Sequence, residues 1–227
     1  MGLATFKGGV HPYEGKELSE SKPVQVLMPK GELVFPLSQH IGAPANPLVK
    51  KGDQVLAGQI IAEAGGFISA NVVCSVSGTV KAVEPRRVAN GAMVNSIVVE
   101  NDGEYKTVEG VGEDRDYTAL SKEEIRKIVK DAGIVGLGGA GFPTHVKLTP
   151  KDDAKIDYVI VNGAECEPYL TSDYRLMIEE PEKLVGGLKV ILRLFENAKG
   201  VIGIENNKPE AIKKLTELVK DEPKSSV

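Results

Sequence analysis

The sequence predicts two domains, an N-terminal all-β domain followed by an α/β domain with parallel strands. Three observations carry this. Residues 1 to about 112 hold short apolar runs separated by Gly, Pro and Asn, with no helical period. The same half contains two matching glycine-turn segments, at Gly52-Asp53 and at Ser77-Gly78. After Ser121 the apolar spacing changes to helix, strand, helix, strand, helix.

In the first half the expected strands are Val24–Met28, Leu33–Leu37, Val55–Ala62, Val72–Val76, Thr79–Val83 and Ser96–Glu100. Pro47-Leu48-Val49-Lys50-Lys51-Gly52-Asp53-Gln54-Val55 leads into Gly58-Gln59-Ile60-Ile61-Ala62, and Val76-Ser77-Gly78-Thr79-Val80 follows. Gly52-Asp53 suits a hairpin turn, and Gly78 is expected in the corresponding turn of the second half. The pattern resembles the barrel-sandwich hybrid of biotinyl and lipoyl carrier domains. A working carrier needs an exposed lysine between the halves, and no Lys occurs from Gln59 to Gly78. The module is therefore expected to be structural.

A charged stretch from Asp102 to Leu120 links the halves. Ser121-Lys122-Glu123-Glu124 is a capping box: the Ser hydroxyl accepts from the third amide of the helix and Glu124 reaches back to the capping amide. Ile125, Ile128 and Val129 follow at helical spacing, and Gly133 is the expected stop. Asp157–Asn162 reads as a buried strand, and a helix from Pro181 to about Asn197 carries Leu184, Leu188, Ile191, Leu192 and Phe195 on one face. Gly200–Glu205 reads as a second strand, and Pro209 opens a helix with Ala211, Ile212, Leu215 and Leu218. Strand, helix, strand implies a parallel pair with a right-handed crossover. The expected boundaries are a β domain at 1–112, a linker and helix at 113–133, and the first part of an α/β domain at 134–227. Two strands are few for a nucleotide site, so the second domain reads as truncated.

Composition excludes several classes. With 28 basic and 32 acidic residues the net charge is −4, which argues against a nucleic-acid footprint. No apolar run approaches the ~18 residues of a membrane span, since Leu184–Phe195 is broken by Lys189 and Arg193. The first fifteen residues lack the apolar stretch of a secretory signal. The two cysteines, Cys74 and Cys166, are too few for an iron–sulfur cluster, and the three histidines show no ligand spacing, so no metal site is expected from this chain.

Two segments have the composition of binding loops. Gly136-Leu137-Gly138-Gly139-Ala140-Gly141-Phe142-Pro143-Thr144-His145-Val146-Lys147 places four glycines in six residues, which allows close backbone approach to a ligand. It matches Gly-x-Gly-x-x-Gly in form. A helix precedes it where the dinucleotide fingerprint needs a strand, and two prolines follow, so the ordinary dinucleotide reading fails its context. No Gly-Lys-Ser/Thr follows either, which excludes a Walker A loop. Asn162-Gly163-Ala164-Glu165-Cys166-Glu167-Pro168-Tyr169 lies at the carboxyl end of a predicted parallel strand, where open α/β sheets bind ligands. Asn162 offers an amide to a heteroaromatic ring edge, and Glu165 and Glu167 offer two carboxylates.

Together these loops resemble the flavin-binding and flavin-ring-holding loops of the NADH-oxidising subunit of respiratory complex I. Thr5-Phe6-Lys7-Gly8-Gly9-Val10-His11-Pro12, Pro36-Leu37-Ser38-Gln39-His40-Ile41-Gly42-Ala43-Pro44 and Asn162–Leu170 resemble the RnfC family, whose members belong to Rnf complexes, the ion-translocating ferredoxin:NAD⁺ oxidoreductases. A cobalamin-reductase branch shares much of this architecture. The resemblance spans essentially the whole chain. It implies a barrel-sandwich hybrid followed by a truncated three-layer flavin-binding α/β domain, and FMN as cofactor with NAD(H) as substrate. It places Gly136, Gly138, Lys147, Asn162 and Glu165 along FMN, and Gly139, Phe142 and Glu167 toward NADH. It assigns no catalytic acid, base or nucleophile, because the cofactor carries the chemistry.

Leu137 stands where complex I has an Arg, and Ala164 where it has an Asp, so the local field at the flavin is expected to differ. Cys166 is read as a passive neighbour. The family's cluster-binding Cys-x-x-Cys-x-x-Cys runs do not occur here. The parent is expected to carry FMN and two 4Fe-4S clusters. This piece is expected to bind no cluster, to bind FMN weakly or not at all, and to be inactive alone. Expected partners are the other subunits of a membrane-bound complex and, indirectly, ferredoxin, with the chain held peripherally at the cytoplasmic face of the membrane. A non-catalytic scaffold fragment is the alternative.

Overall fold

The structure is a computed structural model that describes residue 10, residues 12–137 and residues 139–227. Most of the opening segment Thr5–Pro12 therefore lies outside the described residues. Two compact units are present. One is Leu27–Asp153, and the other is Ala154–Val227 together with the described residues before Leu27.

The first unit contains β1 (Glu32–Pro36), β2 (Asn46–Pro47), β3 (Gln54–Val55), β4 (Ile60–Glu63), β5 (Val72–Val73), β6 (Gly78–Arg87) and β7 (Met93–Asn101). These form two antiparallel sheets, ordered β1-β7-β6-β3 and β2-β4-β5. In β7, Ile97 and Val99 face the core, and Phe35 and Leu33 of β1 stand opposite them. Val55, Ile61, Val76, Val80, Ile97 and Val99 are essentially inaccessible and fill the interior. Burial of such side chains is worth about 1.5–3 kcal/mol each.

A turn forms at Gly52, with φ of 95°, but it is not the expected hairpin, because β2 and β3 on either side of it lie in different sheets. The turn is closed by hydrogen bonds from Gly52 N to Val80 O and from Val80 N to Asp53 O, each 2.8 Å. Gly78 lies in β6 instead of a turn. It pairs with Val55 on one side and Asn101 on the other, and a Cβ there would meet Glu100 O at 2.0 Å. The expected strand Val55–Ala62 is two strands, because Gly58, at φ 86°, interrupts it. Val24–Met28 forms no strand: it lies between Pro23 and Pro29, and Val24, Val26, Leu27 and Met28 are exposed. The connection from β4 to β5, residues 64–71, carries no lysine. It is tied by its own side chains, with Ala64 N donating to Asn71 Oδ1 and Gly65 N to Ser69 Oγ.

α1 (Lys122–Asp131) starts with the complete capping box at Ser121 and Glu124. Gly133, at φ 64°, ends it, and Ile134 N reaches back to Val129 O. Only glycine fits there, since a Cβ would lie 2.4 Å from Asn71 O. Ser121→Ala should cost about 1 kcal/mol of helix stability. Hydrogen exchange of the amides of Lys122–Glu124 should accelerate while β6 and β7 keep their protection; unchanged exchange would show that the cap contributes nothing. α1 leads through the glycine-rich segment into the four-residue α2 (Thr144–Lys147).

The second unit is α/β. β8 (Tyr158–Asn162) and β9 (Lys199–Gly203) pair in parallel, as expected for a crossover. A third parallel strand, β10 (Ser225–Ser226), joins β9, giving the order β10-β9-β8 in place of the expected pair. Two serines carry no apolar strand pattern; Gly200 N donating to Lys224 O holds them in place. α3 (Ser172–Glu179) was not expected as a helix. α4 (Pro181–Leu192) ends before the expected Asn197, and α5 (Pro209–Val219) follows β9. Proline opens both α4 and α5, where its missing N–H costs nothing. Met177, Val185, Leu188, Ile202, Ala211, Leu215 and Val219 form the core. No described helix is long and apolar enough to cross a membrane.

Candidate functional site

The predicted site residues fall into two groups, one in each unit. Gly136, Gly139, Phe142 and Lys147 belong to the first, and Asn162, Glu165 and Glu167 to the second. Gly138 lies outside the described residues.

The glycine loop leaves α1 and turns back on itself. Gly136 N donates to Phe142 O at 3.0 Å, Val135 bridges Pro143, and Thr144 N donates to Ile134 O at 2.9 Å. The loop is thus pinched at its base and open at its tip, where Leu137 and Gly139 are exposed. Nothing would obstruct a Cβ at Gly139, so its lack of a side chain leaves that stretch of backbone open to a ligand. Gly141 takes φ of 63° and its carbonyl accepts from Ile41 N at 3.2 Å. Lys147 is exposed on α2.

That last bond joins the loop to Pro36–Pro44, the segment the sequence singled out for a different reason. His40 secures it: Nε2 accepts from Ala70 N at 3.2 Å, which leaves Nδ1 to carry the proton donated to Ile41 O at 3.2 Å. An open cleft of about 820 Å³ lies between the glycine loop, Gln39–Ile41 and the turn Val88–Asn90. Sequence reasoning did not find Val88–Asn90 as a wall of this cleft, because a hairpin tip carries no signal of what it faces. Arg126 braces the segment after α2, with Nε on Leu148 O at 2.8 Å and a guanidinium–carboxylate pair to Asp153 at 2.6 Å. His145 on α2 has its pKa lowered, first by burial and then by the charge of Lys130.

In the second unit the loop after β8 begins with Asn162. Its side chain is exposed, and Oδ1 accepts from Ala164 N at 3.1 Å. Gly163 passes so close to β9 that a Cβ would lie 3.0 Å from Gly203 O. Glu165 then turns inward. Its side chain has no exposed surface. Oε1 accepts from Asp173 N at 2.8 Å and Tyr174 N at 3.0 Å, the two amides that need a cap at the start of α3. Thr171, at the capping position itself, makes no such bond. Glu165 therefore caps α3 from outside the local sequence. Oε2 faces two buried lysines, Lys16 and Lys208, each at 3.4 Å.

Lys208 also pairs with Glu205 at 2.7 Å, and Glu205 accepts from Glu165 N at 3.1 Å. Burial is the largest single influence on the Glu205 carboxyl and pushes it up, but those two hydrogen bonds together with the charges of Lys208 and Lys16 outweigh it and hold the pKa low. Asp173 is raised by burial and by the neighbouring Glu165 charge. Glu167 and Cys166 are exposed. Tyr169 has φ of 66°, an uncommon conformation for a residue with a side chain. Lys16, Lys208 and Glu205 were not foreseen as part of this site. Among the described residues no group of three or more His, Cys, Asp or Glu is arranged to hold a metal ion.

Residues 4–104 match the family model described as the RnfC Barrel sandwich hybrid domain, and residues 129–227 match the Nuo51 FMN-binding domain. The chain belongs to the RnfC family. It is 45% identical over 94% of its length to the C subunit of the proton-translocating ferredoxin:NAD(+) oxidoreductase complex of Clostridium ljungdahlii, covering 47% of that protein. It is 47% identical over 98% of its length to the C subunit of the Na(+)-translocating ferredoxin:NAD(+) oxidoreductase complex of Acetobacterium woodii, covering 50% of it. To the C subunit of the ion-translocating oxidoreductase complex of Rhodobacter capsulatus it is 41% identical, over 93% of this chain and 41% of the relative. The chain thus spans about half the length or less of these relatives. The RnfC match to the barrel-sandwich fold agrees with the paired antiparallel sheets, and the FMN-binding match covers both the glycine loop and the loop after β8.

Proposed function

We propose that this chain forms the front part of a flavin- and NADH-binding subunit of a membrane-bound ferredoxin:NAD⁺ oxidoreductase. The observation that carries the reading is that one FMN-binding family model runs across both loops, residues 129–227. Bound FMN would supply hydride exchange with NAD(H) and one-electron exchange with 4Fe-4S clusters, whose ligands are not in this chain. The residues present fit that group. Gly136 brings backbone without a side chain to the flavin, though its own N–H is held by Phe142 O, Gly139 leaves open backbone toward the nicotinamide nucleotide, and Lys147 offers an exposed cation suited to the flavin's polar atoms or phosphate. Asn162 presents an exposed amide to a ring edge. Phe142 and Glu167 would face the nicotinamide nucleotide, by stacking and by accepting hydrogen bonds.

Glu165 has a narrower part. Its carboxylate is engaged by two helix amides and two lysines, so we infer that it serves FMN by shaping the loop. No side chain needs to act as a catalytic acid or nucleophile. The subunit would associate with the membrane at its cytoplasmic face through partner subunits.

FMN fluorescence quenching tests this. Saturable quenching by the full-length subunit should weaken about tenfold or more in Lys147→Ala, the usual effect of losing a hydrogen bond to a charged group. Quenching unchanged by the substitution would remove Lys147 from the site, and no quenching at all would overturn the flavin reading.

A further inference from the structure

We propose that Tyr13–Ser19 is a strap belonging to the α/β unit, and that Lys16 is a positioning residue that holds the loop Asn162–Leu170 in its cofactor-binding shape. The proposal rests on the flavin reading above. The barrel-sandwich family model covers residues 4–104, which takes in this segment. Its contacts are nevertheless with the other end of the chain. Lys16 is buried, and its ammonium meets three points of the loop: Leu170 O at 2.8 Å, Glu167 O at 3.3 Å and Glu165 Oε2 at 3.4 Å. An ammonium has three donors, and all three are matched to this one loop. Two of the acceptors are backbone carbonyls that flank Pro168, which has no N–H of its own with which to tie the loop down.

The neighbouring residues act on the same loop. Tyr169 N donates to Glu14 O at 2.6 Å, Ser19 Oγ lies 2.9 Å from Thr171 Oγ1, and the Tyr13 and Tyr169 rings meet edge to face at 6.2 Å. Gly15 sits under the Tyr169 ring at φ 62°, where a Cβ would come within 2.3 Å of it. These contacts hold Tyr169 in its left-handed conformation, which an unsupported loop would abandon. Glu167, offered to the nicotinamide nucleotide, is thereby fixed through its own carbonyl. Lys208 faces the same Glu165 oxygen, so removing Lys16 leaves that carboxylate one buried cation and its two helix amides. The loop should loosen without exposing an uncompensated charge.

The test uses the full-length subunit with Lys16→Met, and with Gly15→Ala as a variant that changes no charge. Hydrogen exchange across residues 162–175 is read beside FMN affinity by fluorescence quenching. Both variants should accelerate exchange in that stretch and weaken FMN binding, each by about tenfold or more. The β8 and β9 amides should keep their protection. Unchanged exchange at 162–175 in both variants would overturn the strap. Loss of β8 and β9 protection as well would overturn it too, because the segment would then be core. A loosened loop with FMN binding intact would overturn the positioning role, while saturable quenching by the unaltered subunit would leave the flavin reading standing.

Discussion

Glu165→Ala is expected to destabilise the α/β unit by about 3–5 kcal/mol, the usual cost of removing one partner from a buried ion pair. Three losses coincide at this position. The amides of Asp173 and Tyr174 lose the acceptor that caps α3. Lys16 and Lys208 lose the carboxylate between them, with side-chain exposures of only 10% and 4%. The remaining pair of Lys208 and Glu205 cannot neutralise both ammonium groups. Glu165→Gln keeps an acceptor for the helix amides but not the charge, so it should fall between the two. Urea unfolding of the protein, read by exchange at β8 and α3, measures this. A Glu165→Ala variant within about 0.5 kcal/mol of the original would sit with ordinary surface substitutions and would show that the buried network is energetically idle.

Gly42→Ala is expected to cost about 3 kcal/mol or more, combining left-handed backbone strain with a steric overlap. Gly42 has φ of 99°, and a Cβ would lie 2.0 Å from Ile68 O, the atom that accepts from Ala43 N. The backbone on both sides must part. The displaced segment carries His40 and Ile41, and Ile41 N holds the glycine loop through Gly141 O. The variant should therefore melt at lower temperature and also weaken FMN binding, although residue 42 is assigned no contact with FMN. A lowered melting temperature with unaltered flavin affinity would separate the Pro36–Pro44 segment from the binding loop.

Much of the fold was readable where the physics is local. The capping box at Ser121 and Glu124 and the stop at Gly133 use residues only a few positions apart, and α1 follows them. Short apolar runs placed β1, β6 and β7, and proline placed the starts of α4 and α5. The failures were non-local in cause. Val24–Met28 has strand composition but no partner strand among the described residues, and Ser225–Ser226 has a partner but no strand composition. α3 was missed because its cap, Glu165, lies outside the Thr171-Ser172-Asp173 string where a cap is sought.

The candidate site divides the same way. By itself the sequence determined which backbone is free of side chains, at the glycine loop, and that a strand ends at Asn162. Those are properties of residue types and short spacings. It also carried the family resemblance that the relatives bear out. Only the tertiary structure decided that Glu165 points inward, that His40 ties Pro36–Pro44 to Ala70, and that Lys16 crosses 149 positions of sequence to reach Glu165. A lysine and a glutamate so far apart are two ordinary charged residues in a string. Folding brings them to 3.4 Å where both are buried, and only there do they have to satisfy one another.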